Sequence, residues 1–197
     1  MKSALFTILI TITAMAQEPF TMKHDQLGET LASYHQNNND CPKAAFKADK
    51  ASGVLVCVSN DKGFTYAGVR HKTKRITVLD DQVAMITLIF PHAEFNTVLN
   101  SLRETVGNGI PSFTERNVLL TLTKLMAEKE MTRRQLDAVP ARASNFKWSN
   151  GVSTILLSEY DAADPSFQSS NLTFSLDSAV KEIRNNFDKH VESLNGN

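Results

Sequence analysis

The chain is poor in cysteine and carries no excess of charge of either sign. Its 197 residues include two cysteines, and 21 Lys and Arg residues balance 21 Asp and Glu residues. Two cysteines cannot complete a four-cysteine zinc site, and they do not form a C-x-x-C redox pair. The neutral balance argues against a nucleic-acid binder, which would be strongly basic. It also argues against a protein held on a membrane by a polybasic stretch.

The sequence also lacks a catalytic signature. Its five histidines include no pair at i, i+4 and no H-E-x-x-H motif, so zinc chemistry has no support. Ser178-Ala179-Val180-Lys181 matches S-x-x-K, but the companion S-D-N and K-T-G elements are absent. Gly107-Asn108-Gly109 follows a helical pattern, whereas a dinucleotide-binding loop follows a strand. We therefore expect no metal site and no cofactor.

The first 16 residues read as a secretory signal. Lys2 supplies a positive charge, residues 4–14 are uncharged and mostly apolar, and Ala14-Met15-Ala16 is a small-x-small cleavage site. The apolar run is shorter than the ~20 residues that a membrane-spanning helix needs. The residue directly after the cleavage site is Gln17, not a cysteine that could carry a lipid. We expect a mature chain that starts at Gln17, lacks a membrane anchor and is periplasmic or secreted.

The two cysteines are expected to form a disulfide. Cys41 and Cys57 lie 16 positions apart, and an even cysteine count in an exported protein favours pairing. Closing a loop of that length stabilises the fold by about 3 kcal/mol in the chain-entropy model.

Helical and β patterns alternate along the mature chain. Apolar residues at helical spacing, with Asp25 as the first cap, predict helices over 26–36, 95–106, 115–136 and 178–187. Short β-rich runs predict strands over 54–58, 64–69, 75–79, 83–90, 146–148, 152–160 and 172–176. The run at 83–90 is apolar almost throughout, which indicates a central strand covered on both faces. Asn150-Gly151 predicts a type I′ hairpin turn.

These elements predict an α+β fold. Short linkers favour antiparallel meanders, so we expect mainly antiparallel sheet of about seven strands with helices packed on one face. Residues 17–197 form either a single α+β domain of that kind or two α-plus-β-meander halves, 25–105 and 110–190.

The layout resembles a known plan for small exported proteins. Leu27-Gly28-Glu29-Thr30-Leu31 lies in a first helix, a cysteine-linked meander follows, and a helix ending in Val106-Gly107 precedes a second meander. This order is similar to the outer-membrane assembly lipoproteins of the SmpA/OmlA kind and to β-lactamase-inhibitor proteins. The stretch from Phe146 to Ile155 also looks like a segment of uncharacterised periplasmic proteins. The resemblance implies a module that binds other proteins and performs no chemistry, and it carries over no functional residue.

Two groups of residues are candidates for recognition. Phe64, Tyr66, Phe146 and Trp148 are aromatics on short strands, and they would form either a binding face or part of the core. The core interpretation is favoured. The basic run 71–75 falls in a predicted turn between strands, where charged residues are usually solvated.

The sequence alone thus predicts an exported, non-enzymatic binding or assembly module. Another protein is the expected partner, and nucleic acid is not. The alternative is a hydrolase whose catalytic residues come together only in the folded chain.

Overall fold

A computed structural model of the protein describes most of the chain. The described residues are 17–22, 25–60, 65–116, 120, 132–139, 142–161 and 168–195. The predicted signal peptide, Phe64 and most of the predicted helix 115–136 lie outside these ranges. Among the described residues, no helix is long and apolar enough to cross a bilayer.

The fold is built on an eight-stranded antiparallel sheet with the strand order β1-β2-β5-β6-β10-β9-β8-β7. The strands are β1 Lys47–Asp49, β2 Val54–Ser59, β3 Thr65–Tyr66, β4 Val69–Arg70, β5 Thr73–Leu79, β6 Gln82–Phe90, β7 Ile110–Glu115, β8 Arg142–Ser149, β9 Ser153–Tyr160 and β10 Ser169–Leu176. Strands β3 and β4 form a separate two-stranded hairpin. The α+β class and the mainly antiparallel sheet are confirmed. Each half of the chain supplies a four-stranded meander, and the two meanders join where β10 pairs with β6.

One row of paired residues crosses six strands and defines what we call face A of the sheet. The row runs through Cys57, Ile76, Ile86, Phe174, Ile155 and Trp148. All six side chains are buried in one apolar cluster. Because strand side chains alternate between faces, Val56, Thr77 and Met85 point to the opposite side, face B.

Helices cover both faces of the sheet. They are α1 Leu31–Asn37, α2 Phe95–Thr105, α3 Arg133–Ala138 and α4 Asp177–Asn195. The buried residues of α1 and α2 belong to the face A cluster, whereas Ala179 and Ile183 of α4 pack with Val54 and Ala84 in a second cluster. The prediction that helices share one face is therefore wrong for α4. The central strand β6 has apolar side chains on both faces, so other elements must pack on both faces to remove these side chains from water.

Two tight hairpin turns have the type I′ signature of two central residues with positive φ. They lie at Ala67-Gly68, between β3 and β4, and at Asp80-Asp81, between β5 and β6. The turn predicted at Asn150-Gly151 differs, because only Gly151 has a positive φ there. The Asn150 side chain instead accepts hydrogen bonds from the backbone N–H groups of Val152 and Ser153, at 3.1 and 2.9 Å. An Asx turn thus replaces the type I′ turn and lengthens the loop.

The first helix begins later than predicted. Thr30 caps α1 by accepting a 3.2 Å hydrogen bond from the backbone N–H of Ser33. Asp25, the predicted cap, lies buried on face A instead. Cys41 and Cys57 form the expected disulfide, with their Cα atoms 6.0 Å apart. The disulfide joins the segment after α1 to strand β2.

Candidate functional site

A cavity of about 300 Å³ opens on face A. Three parts of the chain surround it: the N-terminal segment with Met22 and Asp25, the β3–β4 hairpin with Tyr66, and the end of α2 with Thr105. Strand β5 contributes Lys74 to the wall. The lining is mainly apolar with a few polar groups, which is the usual composition of a ligand pocket.

A buried network of ion pairs lies at one wall of this cavity. The Lys74 ammonium is 2.6 Å from Asp25 Oδ1 and 2.7 Å from Asp40 Oδ2. The Tyr34 hydroxyl donates a 2.8 Å hydrogen bond to Asp40 Oδ1, and the ammonium lies 5.6 Å from the centroid of the Tyr34 ring. The Lys74, Asp25 and Asp40 side chains are 3%, 8% and 1% exposed. Such charges are tolerated inside a protein only because they neutralise and hydrogen-bond each other.

Among the described residues, the network contains more negative than positive charge. Two carboxylates surround one ammonium, which leaves one net negative charge when all three groups are ionised. Burial raises the pKa of Asp25, although the Lys74 ammonium acts in the opposite direction. Burial also raises the pKa of Tyr34, and the Asp40 carboxylate adds to that increase. A cation that enters the cavity would relieve this excess.

The basic run 71–75, predicted as a solvated turn, is partly buried. His71 and Lys74 are both buried, and both line the cavity. Strand β5 begins two residues earlier than predicted. Extending it back from Ile76 places Lys74 on the buried face by simple alternation. The alternation along β5 could therefore have predicted that Lys74 is buried. It could not have predicted the acidic partners of Lys74, because Asp25 and Asp40 are distant along the chain.

The structure separates the candidate aromatic residues. Tyr66 lies on the cavity wall, with its ring 6.1 Å from that of Phe174 in an edge-to-face arrangement, and burial raises the pKa of its hydroxyl. The rings of Phe146 and Trp148 are tilted relative to each other with centroids 6.4 Å apart, and neither residue lines the cavity. Trp148 is 5% exposed and donates a 2.7 Å hydrogen bond from Nε1 to the Gly107 carbonyl. Trp148 is therefore a core residue with a satisfied indole.

The cavity also gathers the residue types of a serine hydrolase. Ser101, His71 and Asp25 all contribute to its lining. In the described part of the chain, however, no hydrogen bond joins Ser101 to His71, and Asp25 is bound by Lys74. A nucleophile needs a base within hydrogen-bond reach, so this arrangement does not form a catalytic triad.

The described residues include no group of three His, Cys, Asp or Glu side chains placed to hold a metal ion. The site is thus a partly apolar cavity with a fixed ion network at its wall. No protein-family model, curated protein or solved structure matches the chain.

Proposed function

We propose that the protein is an exported, non-enzymatic binding module whose face A cavity receives a basic side chain of a partner protein. The observation that carries the proposal is the buried Asp25–Lys74–Asp40 network, which places the Asp25 carboxylate at the cavity wall and has, among the described residues, one more carboxylate than ammonium. An ammonium or guanidinium group would gain a charge-assisted hydrogen bond there. Its aliphatic stem would contact Met22 and Leu88.

The walls of the cavity are held in place before any partner arrives. The N-terminal segment is tied to the β5–β6 hairpin by backbone hydrogen bonds of 2.8 Å at Gly28, Glu29 and Leu31. The disulfide at Cys41 fixes the residue next to Asp40. A preformed site loses little conformational entropy on binding, which supports recognition as the role of this region. Export, predicted from residues 1–16, is consistent with the disulfide.

A hydrolase remains the second candidate because Ser101, His71 and Asp25 share the cavity. For catalysis, the cavity would have to close around a substrate and bring the Ser101 hydroxyl within hydrogen-bond reach of the His71 imidazole. Turnover in a screen of ester, peptide and glycoside substrates, abolished by Ser101→Ala, would favour the hydrolase over the binding module.

The binding proposal is tested by obstructing the cavity mouth. Thr105 is exposed, lines the cavity and ends α2, whereas its neighbour Glu104 is exposed and outside the lining. Thr105→Phe should abolish capture of the partner from the exported fraction of the producing cell, and Glu104→Phe should leave capture intact. Both variants should unfold at the wild-type temperature. Equal capture by the two variants would contradict a role for the cavity.

A further inference from the structure

A second opening lies on the other side of the sheet, under α4. It is a cleft of about 650 Å³ between α4 and the strands β1, β2, β5 and β6. Its apolar walls come from the sheet and from the helix, and consist of Val54, Val56, Met85, Val180, Ile183 and Phe187. The volume falls within the range of small-molecule sites, roughly 300–1,000 Å³. The cleft is on face B, so the sheet separates it from the cavity on face A.

The charges that line this cleft are mostly positive. Lys47, Arg75 and Arg184 contribute to the lining, against the single carboxylate of Asp49. That carboxylate is already engaged in the turn after β1, where it accepts hydrogen bonds from the backbone N–H of Ala51 at 3.0 Å and the Ser52 hydroxyl at 2.7 Å. The lining therefore has a local positive excess beside an apolar surface.

Arg75 is the most buried cation of the group, since Lys47 and Arg184 are exposed. It lies on β5 beside Thr77, half-buried and on face B. Within the described residues, no carboxylate comes within 4 Å of its guanidinium and no hydrogen bond to it is formed. Burial lowers the pKa of Arg75, while Asp49 acts in the opposite direction from a greater distance. A half-buried guanidinium without a hydrogen-bonded anion is an arrangement that a bound carboxylate would stabilise.

We propose that this cleft binds a long-chain monocarboxylate, a ligand of the fatty-acid class. The carboxylate pairs with Arg75, and the cations of Lys47 and Arg184 flank it at the cleft edge. The alkyl chain lies between the Ile183 and Phe187 side of α4 and the Val54, Val56 and Met85 side of the sheet. A small hydrophilic anion would leave those apolar walls uncovered, and a neutral hydrocarbon would leave the guanidinium without a partner. The proposal is independent of the partner proposed for face A.

The test uses decanoate as the probe, with decan-1-ol as the uncharged probe of the same length. Titration calorimetry should give one saturable decanoate site on the full mature chain and at least about tenfold weaker binding of decan-1-ol. Methyl-labelled methionine reports the position, because Met85 lines the cleft and Met22 lines the face A cavity. Decanoate should shift the Met85 methyl resonance and leave that of Met22 unchanged.

Arg75→Gln should weaken decanoate binding about tenfold or more, because it removes a charge-assisted contact. Arg184→Gln, at an exposed helix position, gives a second variant that should fold even if Arg75→Gln does not, and it should weaken binding several-fold. The matched control is Arg103→Gln. In the wild type, the Arg103 guanidinium lies 5.3 Å from the Phe146 ring on face A, on the other side of the sheet from the cleft. The proposal fails if folded wild type does not bind decanoate or if decan-1-ol binds equally well. It also fails if both cleft variants bind decanoate as wild type does, or if the protein binds phosphatidylglycerol vesicles but not decanoate.

Discussion

The Lys74 ammonium donates a 2.6 Å hydrogen bond to Asp25 Oδ1, joining two residues 49 positions apart in the chain. This contact links the N-terminal segment to strand β5 through the interior of the protein, since both side chains are almost fully buried. The same ammonium holds Asp40, which lies next to the disulfide. The contact therefore fixes a wall of the candidate site and anchors the segment before α1 to the sheet.

Removing the Lys74 ammonium should strongly destabilise the protein. Lys74→Met leaves two buried carboxylates without their counterion, so we expect the free energy of unfolding to fall by about 3–5 kcal/mol. Lys72→Met, at an exposed position two residues away, should change it by less than about 0.5 kcal/mol. Urea unfolding of both variants measures the difference. Similar small losses in the two variants would show that the network contributes little to stability.

The contribution of Asp25 to stability should decrease as pH rises. Its pKa is raised in the folded protein, chiefly by burial, so the folded chain holds this proton more tightly than the unfolded chain does. Its stabilising contribution is complete below the ordinary Asp pKa and is lost as pH rises through the raised pKa. The free energy of unfolding of wild type minus that of Asp25→Asn should therefore fall over the range that begins at the ordinary Asp pKa of about 3.9 and extends upward. Urea unfolding across that range checks the slope, and a difference that grew with pH would mean that Lys74 outweighs burial.

Gly109 is expected to tolerate no side chain. A Cβ atom placed there would lie 2.6 Å from Cε2 of Trp148, which is backed by the core. Gly109→Ala should therefore cost about 1–3 kcal/mol, as overpacking of a rigid interior does. It should also shift the emission of Trp148, the only tryptophan. Asn108→Ala, at an exposed neighbouring position, is the control; a neutral Gly109→Ala would mean that the indole moves aside.

The disulfide should be fully formed and should contribute to stability. Thiol labelling of denatured, unreduced protein should detect no reactive cysteine. Cys41→Ala/Cys57→Ala should lower the free energy of unfolding by about 2–4 kcal/mol, because it reopens a loop of 16 residues in the unfolded chain. Two labelled thiols in protein recovered after export would contradict the pairing.

Elements with strong local patterns could be predicted from the sequence. Apolar spacing predicted α2 at 95–106, and the structure has it at Phe95–Thr105. The apolar run predicted at 83–90 is the central strand β6, Gln82–Phe90. Its face A side chains are buried as expected, whereas Met85, Thr87 and Ile89 on face B are only half-buried. The edge strands β1 and β7 were missed, because their side chains are almost all exposed and show no alternation of burial. Exposed edges carry little hydrophobic signal.

The candidate site could be predicted only in part. Tyr66 was singled out as an aromatic on a short strand, and it lines the cavity. Asp25 was assigned to a helix cap, because local capping preference is visible in a sequence whereas an ion pair across 49 residues is not. Lys74 was assigned to a solvated turn for the same reason. The long-range contacts that bury these charges depend on the fold and have no local pattern.

The central claim, that the face A cavity receives a basic side chain, is tested most directly at the Met22 methyl group on its lining. Wild type labelled with [¹³C-methyl]methionine is titrated with Nα-acetyl-lysine methylamide and, separately, with the same compound acetylated at Nε. We predict a saturable shift of the Met22 resonance with the charged probe, a much smaller shift with the neutral one, and loss of the shift in Thr105→Phe. The Met85 resonance, from the cleft on face B, should not move. An unmoved Met22 resonance, or equal shifts with the two probes, would contradict the claim.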